Sequence, residues 1–241
     1  MKARVVSAFR LGSSLFLLGE EPFSSHKEWS FTCAGRNTHS PAALIPTNQV
    51  KFINFDFERM FIMTEILILS GSPNRSSRSD RVLGYIGELL KAKNFSVNHL
   101  SVTDIPPEVL FHADFSHPSI KGATEQIRNA KGLIVGSPVY KASYTGVLKA
   151  FIDLLPMDVL ESKPVLPLMT GGSSAHLLAL EYALKPLLAN LKGHPLKGIY
   201  LVDSEIDKEL DIPILDADAH QRIDKQTGYF AEFITRQQVT L

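Results

Sequence analysis

Residues 66–79 have the sequence Ile66-Leu67-Ile68-Leu69-Ser70-Gly71-Ser72-Pro73-Asn74-Arg75-Ser76-Ser77-Arg78-Ser79. The first four residues form a continuous apolar run, which is typical of a strand that is covered on both faces. Glycine and proline then break the strand. An apolar stripe at helical spacing follows at Val82, Leu83, Ile86, Leu89 and Leu90. Together these features predict a buried strand, a tight turn and the start of a helix.

The turn between that strand and helix carries groups that suit a phosphate. The start of a helix offers unpaired N–H groups and the positive end of the helix dipole. The hydroxyls of Ser72, Ser77 and Ser79 add donors, and Arg78 can add a charge-assisted hydrogen bond. The glycines of a dinucleotide fingerprint or a Walker loop are missing. The turn therefore favours a mononucleotide, FMN in particular; an ordinary polar loop before a capped helix is the alternative.

From Thr64 onwards, predicted strands alternate with predicted helices. The strands are Glu65–Ser70, Ser96–Ser101, Gly132–Ser137, Pro164–Thr170 and Gly198–Val202. The helices are Ser79–Lys91, Ser119–Asn129, Tyr144–Leu155, Ala175–Leu191 and Asp216–Arg236. This alternation predicts an α/β fold: a doubly wound, five-stranded parallel sheet with helices on both faces and right-handed crossovers.

Two prolines conflict with this assignment. Pro167 lies inside a strand that should be internal, where it would remove a hydrogen-bond donor. Pro186 lies inside the fourth predicted helix, so it should either kink that helix or restart it as a first-turn residue.

The composition limits the possible functions. The chain has 241 residues, with 25 Lys and Arg against 25 Asp and Glu, so its charge gives no argument for binding nucleic acid or an anionic membrane surface. Cys33 is the single cysteine, which excludes an intrachain disulfide and a cysteine metal cluster. No apolar run approaches the length of a membrane span. We therefore expect a cytoplasmic protein without a metal site.

The first 62 residues differ from the rest, because they show no sustained helical or strand period. Met63 stands directly before the first predicted strand. We expect residues 63–241 to form the functional domain, with Met63 as the true start. Residues 1–62 would then be translated upstream sequence or a disordered extension. An accessory segment that packs on the domain is the alternative.

Three turns rich in Gly, Pro, Ser and Thr follow strands of the predicted sheet. They are Ser70–Pro73, Gly136–Tyr140 and Met169–Gly172. In doubly wound sheets, ligands bind beyond the carboxyl ends of the strands, where the strand order switches. The three turns should therefore meet at one edge of the sheet and form a single site.

These turns belong to a longer series of motifs. The series is Ser70-Gly71-Ser72-Pro73, Ser77-Arg78-Ser79, Ser137-Pro138-Val139-Tyr140-Lys141-Ala142, Asp153-Leu154-Leu155-Pro156, Thr170-Gly171-Gly172 and Tyr182-Ala183-Leu184-Lys185-Pro186. In this order, the chain from Met63 to about Val202 resembles the NADPH-dependent FMN reductases of flavodoxin-like fold. Within that family, it most resembles the reductase components of alkanesulfonate monooxygenase systems.

The resemblance implies roles for individual residues. The FMN phosphate would be held by Ser72, Ser77, Arg78 and Ser79. The isoalloxazine ring would be lined by Pro138, Val139 and Tyr140. Its pyrimidine side would approach Thr170, Gly171 and Gly172, where only small residues leave room. His176 would face the flavin, cap a helix or lie at a subunit contact.

The activity implied is transfer of hydride from NADPH to FMN, with release of reduced flavin to a monooxygenase of sulfonate-sulfur metabolism. Such chemistry needs no catalytic side chain, because flavin and nicotinamide supply it. A flavoprotein that keeps FMN bound and reduces quinones, azo compounds or metal oxyanions is the alternative. An electron carrier without an NADPH site is another. The choice between NADPH and NADH stays open, with Arg75 and Lys141 as candidates for a 2′-phosphate contact.

The third predicted helix suggests assembly. It carries apolar residues around more than one face, namely Tyr144, Val147, Leu148, Phe151, Ile152, Leu154 and Leu155. A helix that covers a sheet needs only one such stripe, so the surplus predicts a homodimer or homotetramer. The resemblance implies a π-type bulge near Tyr144. We therefore expect Tyr144 to lie at a subunit contact, where it modulates flavin exchange; simple packing on the sheet is the alternative.

Overall fold

The computed structural model describes the backbone of residues 4–11, 14–20, 29–33 and 65–239, and the side chains of residues 65–236. By internal contacts, the chain divides into two units, Met1–Phe55 and Asp56–Leu241. In the first unit, strands β1 (Arg4–Leu11), β2 (Ser14–Glu20) and β3 (Trp29–Cys33) form an antiparallel sheet in that order. Residues 34–62 lie outside the described residues, and the expectation for residues 1–62 stays a prediction.

The second unit is built on a parallel sheet. Its strands are β4 (Ile66–Ser70), β5 (Val97–Ser101), β6 (Gly132–Pro138), β7 (Pro164–Gly171), β8 (His194–Pro195) and β9 (Ile199–Val202). The order is β5-β4-β6-β7, and β8 and β9 both pair with β7. Counting β8 and β9 as one position gives the order 2-1-3-4-5 of the flavodoxin-like fold, which confirms the predicted fold class.

Six α-helices connect or follow these strands. They are α1 (Arg78–Ala92), α2 (Pro107–His112), α3 (Pro118–Asn129), α4 (Gly146–Asp153), α5 (Lys185–Asn190) and α6 (Ala217–Val239). Helix α2 lies between the second predicted strand and the second predicted helix, where the sequence predicts no element. Between residues 65 and 239, no helix combines the length and apolarity that a membrane span requires.

The helices cover both faces of the sheet, and each face has its own apolar core. Leu67 and Leu69 of β4 point to the face covered by α3, α4 and α5. Ile66 and Ile68 point to the face covered by α1 and α6. This alternation explains the continuous apolar run of β4, because every side chain of the strand meets a helical layer.

Pro167 is accommodated by a break in the neighbouring strand. It lies within β7 and pairs in register with Val135 of β6. On its other side, β8 ends opposite Val165 and β9 begins opposite Leu168. Gly198 passes this point with φ of +82°, and a Cβ there would lie 2.8 Å from Pro167 Cγ. The fifth predicted strand is therefore found as β9, and the additional short strand β8 pairs with β7 on the other side of the proline.

Pro186 restarts the fourth predicted helix, which was one of its two expected effects. It is a first-turn residue of α5. The preceding turn, Leu180–Leu184, is a π-helix in which the Lys185 N–H donates to the Leu180 carbonyl. Proline has no N–H for the carbonyl four residues earlier, so a regular α-helix could not continue across it. The predicted helix Ala175–Leu191 is thus a 3₁₀ turn, a π turn and a short α-helix.

Two expectations for the third predicted helix were wrong. Its π-type bulge is absent from α4, and the π turn lies instead at Leu180–Leu184, which contains Tyr182. Its apolar surplus is also covered within the chain: Phe151, Ile152 and Leu154 are all buried. The reason is that α4 packs against α2 and the 3₁₀ turn Val102–Asp104 as well as against the sheet.

Candidate functional site

Hydrogen bonds join the three predicted turns at the carboxyl edge of the sheet. The Gly71 N–H donates to the Gly136 carbonyl at 2.7 Å, and the Val139 N–H donates to the Thr170 carbonyl at 2.7 Å. The turns after β4, β6 and β7 therefore meet, as the strand order requires.

Thr145 is a fourth component that sequence reasoning missed. Its hydroxyl donates to the Gly71 carbonyl at 2.6 Å and accepts from the Leu148 N–H at 3.0 Å. It thereby caps α4 and ties that helix to the turn after β4. The Thr145 N–H donates to Ser137 Oγ at 3.1 Å, which brings the end of β6 into the same network.

The start of α1 presents several donors close together. Ser77 is its N-cap, and its Oγ accepts from the Asp80 N–H at 3.2 Å and lies 3.1 Å from Ser79 Oγ. In the described part of the chain, no hydrogen bond is seen for the backbone N–H groups of Arg78 and Ser79. The first N–H groups of a helix have no partner within it, so they suit an anion.

Ser72 shapes the turn that precedes α1. Its hydroxyl donates to the Asn74 carbonyl at 2.9 Å and accepts from the Asn74 N–H at 3.1 Å. The Asn74 side chain in turn accepts from the Ser76 N–H at 2.8 Å. Ser72 is buried, and its proton is already used within the turn. Its predicted phosphate contact stays a prediction.

The two arginines of this turn differ in availability. Arg75 is paired with Asp104. Arg78 is exposed, and among residues 65–236 it forms no ion pair. Arg78 is therefore the arginine whose charge is free to meet an anion at the start of α1.

The turn after β6 is a tight hairpin. Tyr140 and Ser143 exchange two backbone hydrogen bonds, of 2.8 and 3.1 Å. The central residues Lys141 and Ala142 have φ of 50° and 60°, as in a type I′ turn. Neither is glycine, so this conformation costs energy, and such strain often lies at functional sites. It presents Tyr140 at 52% exposure, beside the half-buried Pro138 and Val139.

The glycine turn at the end of β7, Gly171-Gly172, has space for a side chain at only one of its two glycines. A Cβ at Gly171 would lie 2.6 Å from the Tyr200 hydroxyl oxygen and 3.4 Å from Val139 Cβ. A Cβ at Gly172 would meet no atom within 4 Å. Gly171 is thus required by packing inside the protein, whereas Gly172 leaves open space in front of the turn. Thr170 is buried at the end of β7.

His176 and Tyr144 occupy different environments. His176 is exposed at the end of the 3₁₀ turn Ser174–His176, and its N–H donates to the Ser173 carbonyl at 3.2 Å. Tyr144 is half-buried and packs against the core beneath α4. The predicted roles of both residues stay predictions.

A separate apolar cavity lies beside the turn between β4 and α1. It has a volume of about 550 Å³ and lies between α2 and α4, with Pro73 and Phe111 among its lining residues. Its lining includes none of the predicted ring contacts Val139, Gly172 and His176. The predicted ring side is instead an open, exposed edge. Within the described residues, no group of three or more His, Cys, Asp or Glu side chains could hold a metal ion.

The residues at this edge fit a flavin mononucleotide. One end offers the free N–H groups of Arg78 and Ser79, the half-buried Ser77 hydroxyl and the exposed Arg78 guanidinium, which suit a phosphate, whereas the Ser79 hydroxyl is buried against Ser77. The other end offers an open glycine and a rigid hairpin turn, which leave room for a planar ring. The fold is that of a flavodoxin-like α/β protein, and the carboxyl edge of its sheet is a candidate mononucleotide site.

Comparisons with known proteins agree with this assignment. Residues 64–207 match the family described as NADPH-dependent FMN reductase. The chain is 42% identical over 175 residues to an FMN reductase (NADPH) of Escherichia coli K12, covering 72% of this chain and 92% of that protein. It is 44% identical over 142 residues to an FMN reductase (NADPH) of Pseudomonas putida, covering 58% of this chain and 72% of that protein.

A solved structure is similar as well. The apo form of the NADH:FMN oxidoreductase EmoB superposes with a TM-score of 0.63 at 37% identity, covering 69% of this chain and 87% of that one. With the family match and the relatives above, this chain belongs to the NADPH-dependent FMN reductase family.

Proposed function

We propose that this protein transfers hydride from NADPH to FMN and releases the reduced flavin. The observation that carries the proposal is the meeting of the three turns at one edge of a flavodoxin-like sheet. FMN supplies the hydride-accepting chemistry, and the protein supplies binding and orientation. Arg78 and the start of α1 bind the phosphate, while the glycine turn and the hairpin turn orient the ring.

The open ring side favours FMN as an exchangeable substrate. Tyr140, Gly172 and His176 are all exposed, so the described residues place no lid over the ring. A flavin that must leave in its reduced form needs such access. We therefore propose that the reduced flavin is consumed by a flavin-dependent monooxygenase in the cytoplasm. An enzyme of sulfonate-sulfur metabolism is proposed on the sequence resemblance alone.

Initial rates of NADPH oxidation by the full chain, with FMN varied, test this proposal. The rate should be near zero without added FMN and should rise to saturation as FMN is added. Activity that needs no added flavin, with FMN co-purifying, would favour the bound-flavin alternative that reduces quinones, azo compounds or metal oxyanions. No NADPH oxidation at any FMN concentration would overturn the proposed function.

Lys141 is the better candidate for the 2′-phosphate of NADPH. It is exposed on the rigid hairpin turn, and among residues 65–236 it takes part in no ion pair, whereas Arg75 is held by Asp104. Lys141→Ala should raise KM for NADPH and leave KM for NADH unchanged. Lys149→Ala is the control, because Lys149 pairs with Asp153 at 2.6 Å. Equal KM changes for both nucleotides would remove Lys141 from this role.

We also propose a homodimer or homotetramer. Large apolar side chains remain exposed just after the glycine turn: Leu177 at 49%, Leu178 at 56% and Tyr182 at 79%. A cluster of this kind commonly marks a protein interface. Light scattering during size-exclusion chromatography should give a mass of two or four chains, and a monomeric mass at micromolar concentration would contradict the proposal.

A further inference from the structure

The glycine turn at the end of β7 rests on the side chain of Tyr200 from β9. The Tyr200 hydroxyl donates a 2.6 Å hydrogen bond to the Ser173 carbonyl oxygen. The Tyr200 hydroxyl oxygen would also lie 2.6 Å from a Cβ at Gly171. Tyr200 is only 8% exposed, so its phenol fills the space behind the turn. No side chain at residue 171 fits while the hydroxyl is present.

The Ser173 carbonyl joins Tyr200 to the next segment of the site. It also accepts from the His176 N–H at 3.2 Å. The Ser173 hydroxyl accepts from the Ala175 N–H at 3.2 Å, which caps the 3₁₀ turn Ser174–His176. A single carbonyl therefore receives hydrogen bonds from β9 and from the turn that carries His176.

The environment of Tyr200 keeps its hydroxyl protonated. Burial, followed by the negative charges of Asp203 and Glu205, raises the pKa of Tyr200 above its ordinary value of 10.0. A tyrosine that keeps its proton remains a hydrogen-bond donor. The bond to Ser173 is therefore present throughout the physiological pH range.

We infer that Tyr200 is a positioning residue for the flavin: through Ser173, it holds residues 171–173 in the shape that receives the pyrimidine edge of the ring. This inference rests on the proposed function. Tyr200 acts from behind the turn, while Gly172 faces the open space in front. The pair Tyr200 and Gly171 is mutually dependent, because the hydroxyl of one occupies the space that a side chain on the other would need.

A double-mutant cycle tests the geometry without flavin. Gly171→Ala alone should lower Tm clearly, because the new Cβ meets the Tyr200 hydroxyl. In the Tyr200→Phe background, the same change should lower Tm much less, because the next nearest atoms lie 3.4 Å away, in ordinary contact. Gly172→Ala is the control and should show no coupling to Tyr200. Additive effects of Gly171→Ala and Tyr200→Phe would overturn the inference.

FMN titration of the same proteins tests the role in binding. Tyr200→Phe should raise the FMN dissociation constant about fivefold, as expected for the loss of one supporting hydrogen bond. It should also shift the visible spectrum of the bound flavin. Tyr229→Phe, an exposed tyrosine on α6, is the control and should leave both unchanged.

The two possible failures of that titration are distinguishable. If the wild-type protein binds FMN and Tyr200→Phe matches it in affinity and spectrum, the inference is overturned and the proposed function stands. If the wild-type protein itself binds no FMN, the proposed function fails, and the role of Tyr200 toward the flavin fails with it.

Discussion

The hydroxyl of Thr145 lies 2.6 Å from the carbonyl oxygen of Gly71 and joins the start of α4 to the turn after β4. Thr145 is 1% exposed, so this bond is made away from water. It links the phosphate end of the candidate site to the hairpin turn after β6, because α4 begins just beyond that turn. Hydrogen bonds of this kind let separate turns act as one rigid site.

Thr145→Val should lower the free energy of unfolding by about 1–3 kcal/mol, because a buried carbonyl and the Leu148 N–H lose their partner. FMN affinity should fall as well. Thr145→Ser keeps the hydroxyl and should restore most of both losses. Urea denaturation and FMN titration measure these effects. Equal behaviour of the Val and Ser variants would show that the hydroxyl does not join the turns.

Arg78→Ala should weaken FMN binding by about 1.5–3 kcal/mol, the scale of a charge-assisted hydrogen bond to phosphate. Riboflavin, which lacks the phosphate, should bind both proteins equally. Arg75→Ala is the control, because Arg75 is already paired with Asp104, and it should change FMN affinity far less. An unchanged dissociation constant in Arg78→Ala would remove Arg78 from the phosphate site.

Gly172→Val should block FMN binding while the protein remains folded, because a side chain there meets only open space. Gly171→Val is unsuitable for this test, because its side chain would clash with the Tyr200 hydroxyl and destabilise the protein. Gly122→Val on α3 also meets no neighbour at its Cβ and serves as the control. Circular dichroism and FMN titration check the pair. Full FMN affinity in folded Gly172→Val would show that the ring does not lie against this turn.

Ala142→Gly should raise the free energy of unfolding by about 0.5 kcal/mol. Relief of the positive φ is worth about 1–2 kcal/mol, and the greater freedom of glycine in the unfolded chain offsets about 0.4–1 kcal/mol. Ala189→Gly, at a negative φ within α5, should instead destabilise and is the control. If Ala142→Gly destabilises the protein as Ala189→Gly does, the positive φ of Ala142 is not a source of strain.

Tyr85→Phe should make the fall in the free energy of unfolding at alkaline pH less steep. Burial, and then the charge of Asp224, raises the pKa of Tyr85 above 10.0, and its hydroxyl lies 2.8 Å from His220 Nε2. The folded state keeps this proton to higher pH than the unfolded state. The associated stability is therefore complete below pH 10 and is lost as pH rises through the raised pKa.

Urea denaturation at several pH values between about 8 and about 11 measures that slope. Tyr229→Phe, at a residue that is 52% exposed on α6, is the control. If the free energy of unfolding of Tyr85→Phe falls as steeply with pH as that of the wild type, Tyr85 is not the cause of the fall.

The sequence predicts five strands of the parallel sheet, the helices on both faces and the edge at which the turns meet, because hydrophobic period and parallel topology determine these features. It does not predict the short strand β8. It does not reveal α2, because a six-residue helix that begins at the second of two consecutive prolines is too short for a helical period to be visible. It marks Pro167 and Pro186 as conflicts, but their resolution by the break between β8 and β9 and by a π turn depends on tertiary contacts.

Two supporting residues of the site leave no sequence signal. Thr145 is a single threonine before a glycine, and only the fold brings it to Gly71. Tyr200 lies in an apolar strand and looks like an ordinary core residue, although its hydroxyl reaches the turn after β7. The pattern of residues along one sequence does not reveal which distant residues come into contact.

Anaerobic stopped-flow mixing of the FMN-loaded full chain with NADPH decides whether this protein passes hydride to FMN. We expect rapid bleaching of the oxidised flavin absorbance, at a rate that saturates with NADPH concentration. Free FMN mixed with NADPH gives the background rate. If the protein binds FMN but its flavin bleaches no faster than this background, the protein is a flavin carrier, and the proposed reductase activity is wrong.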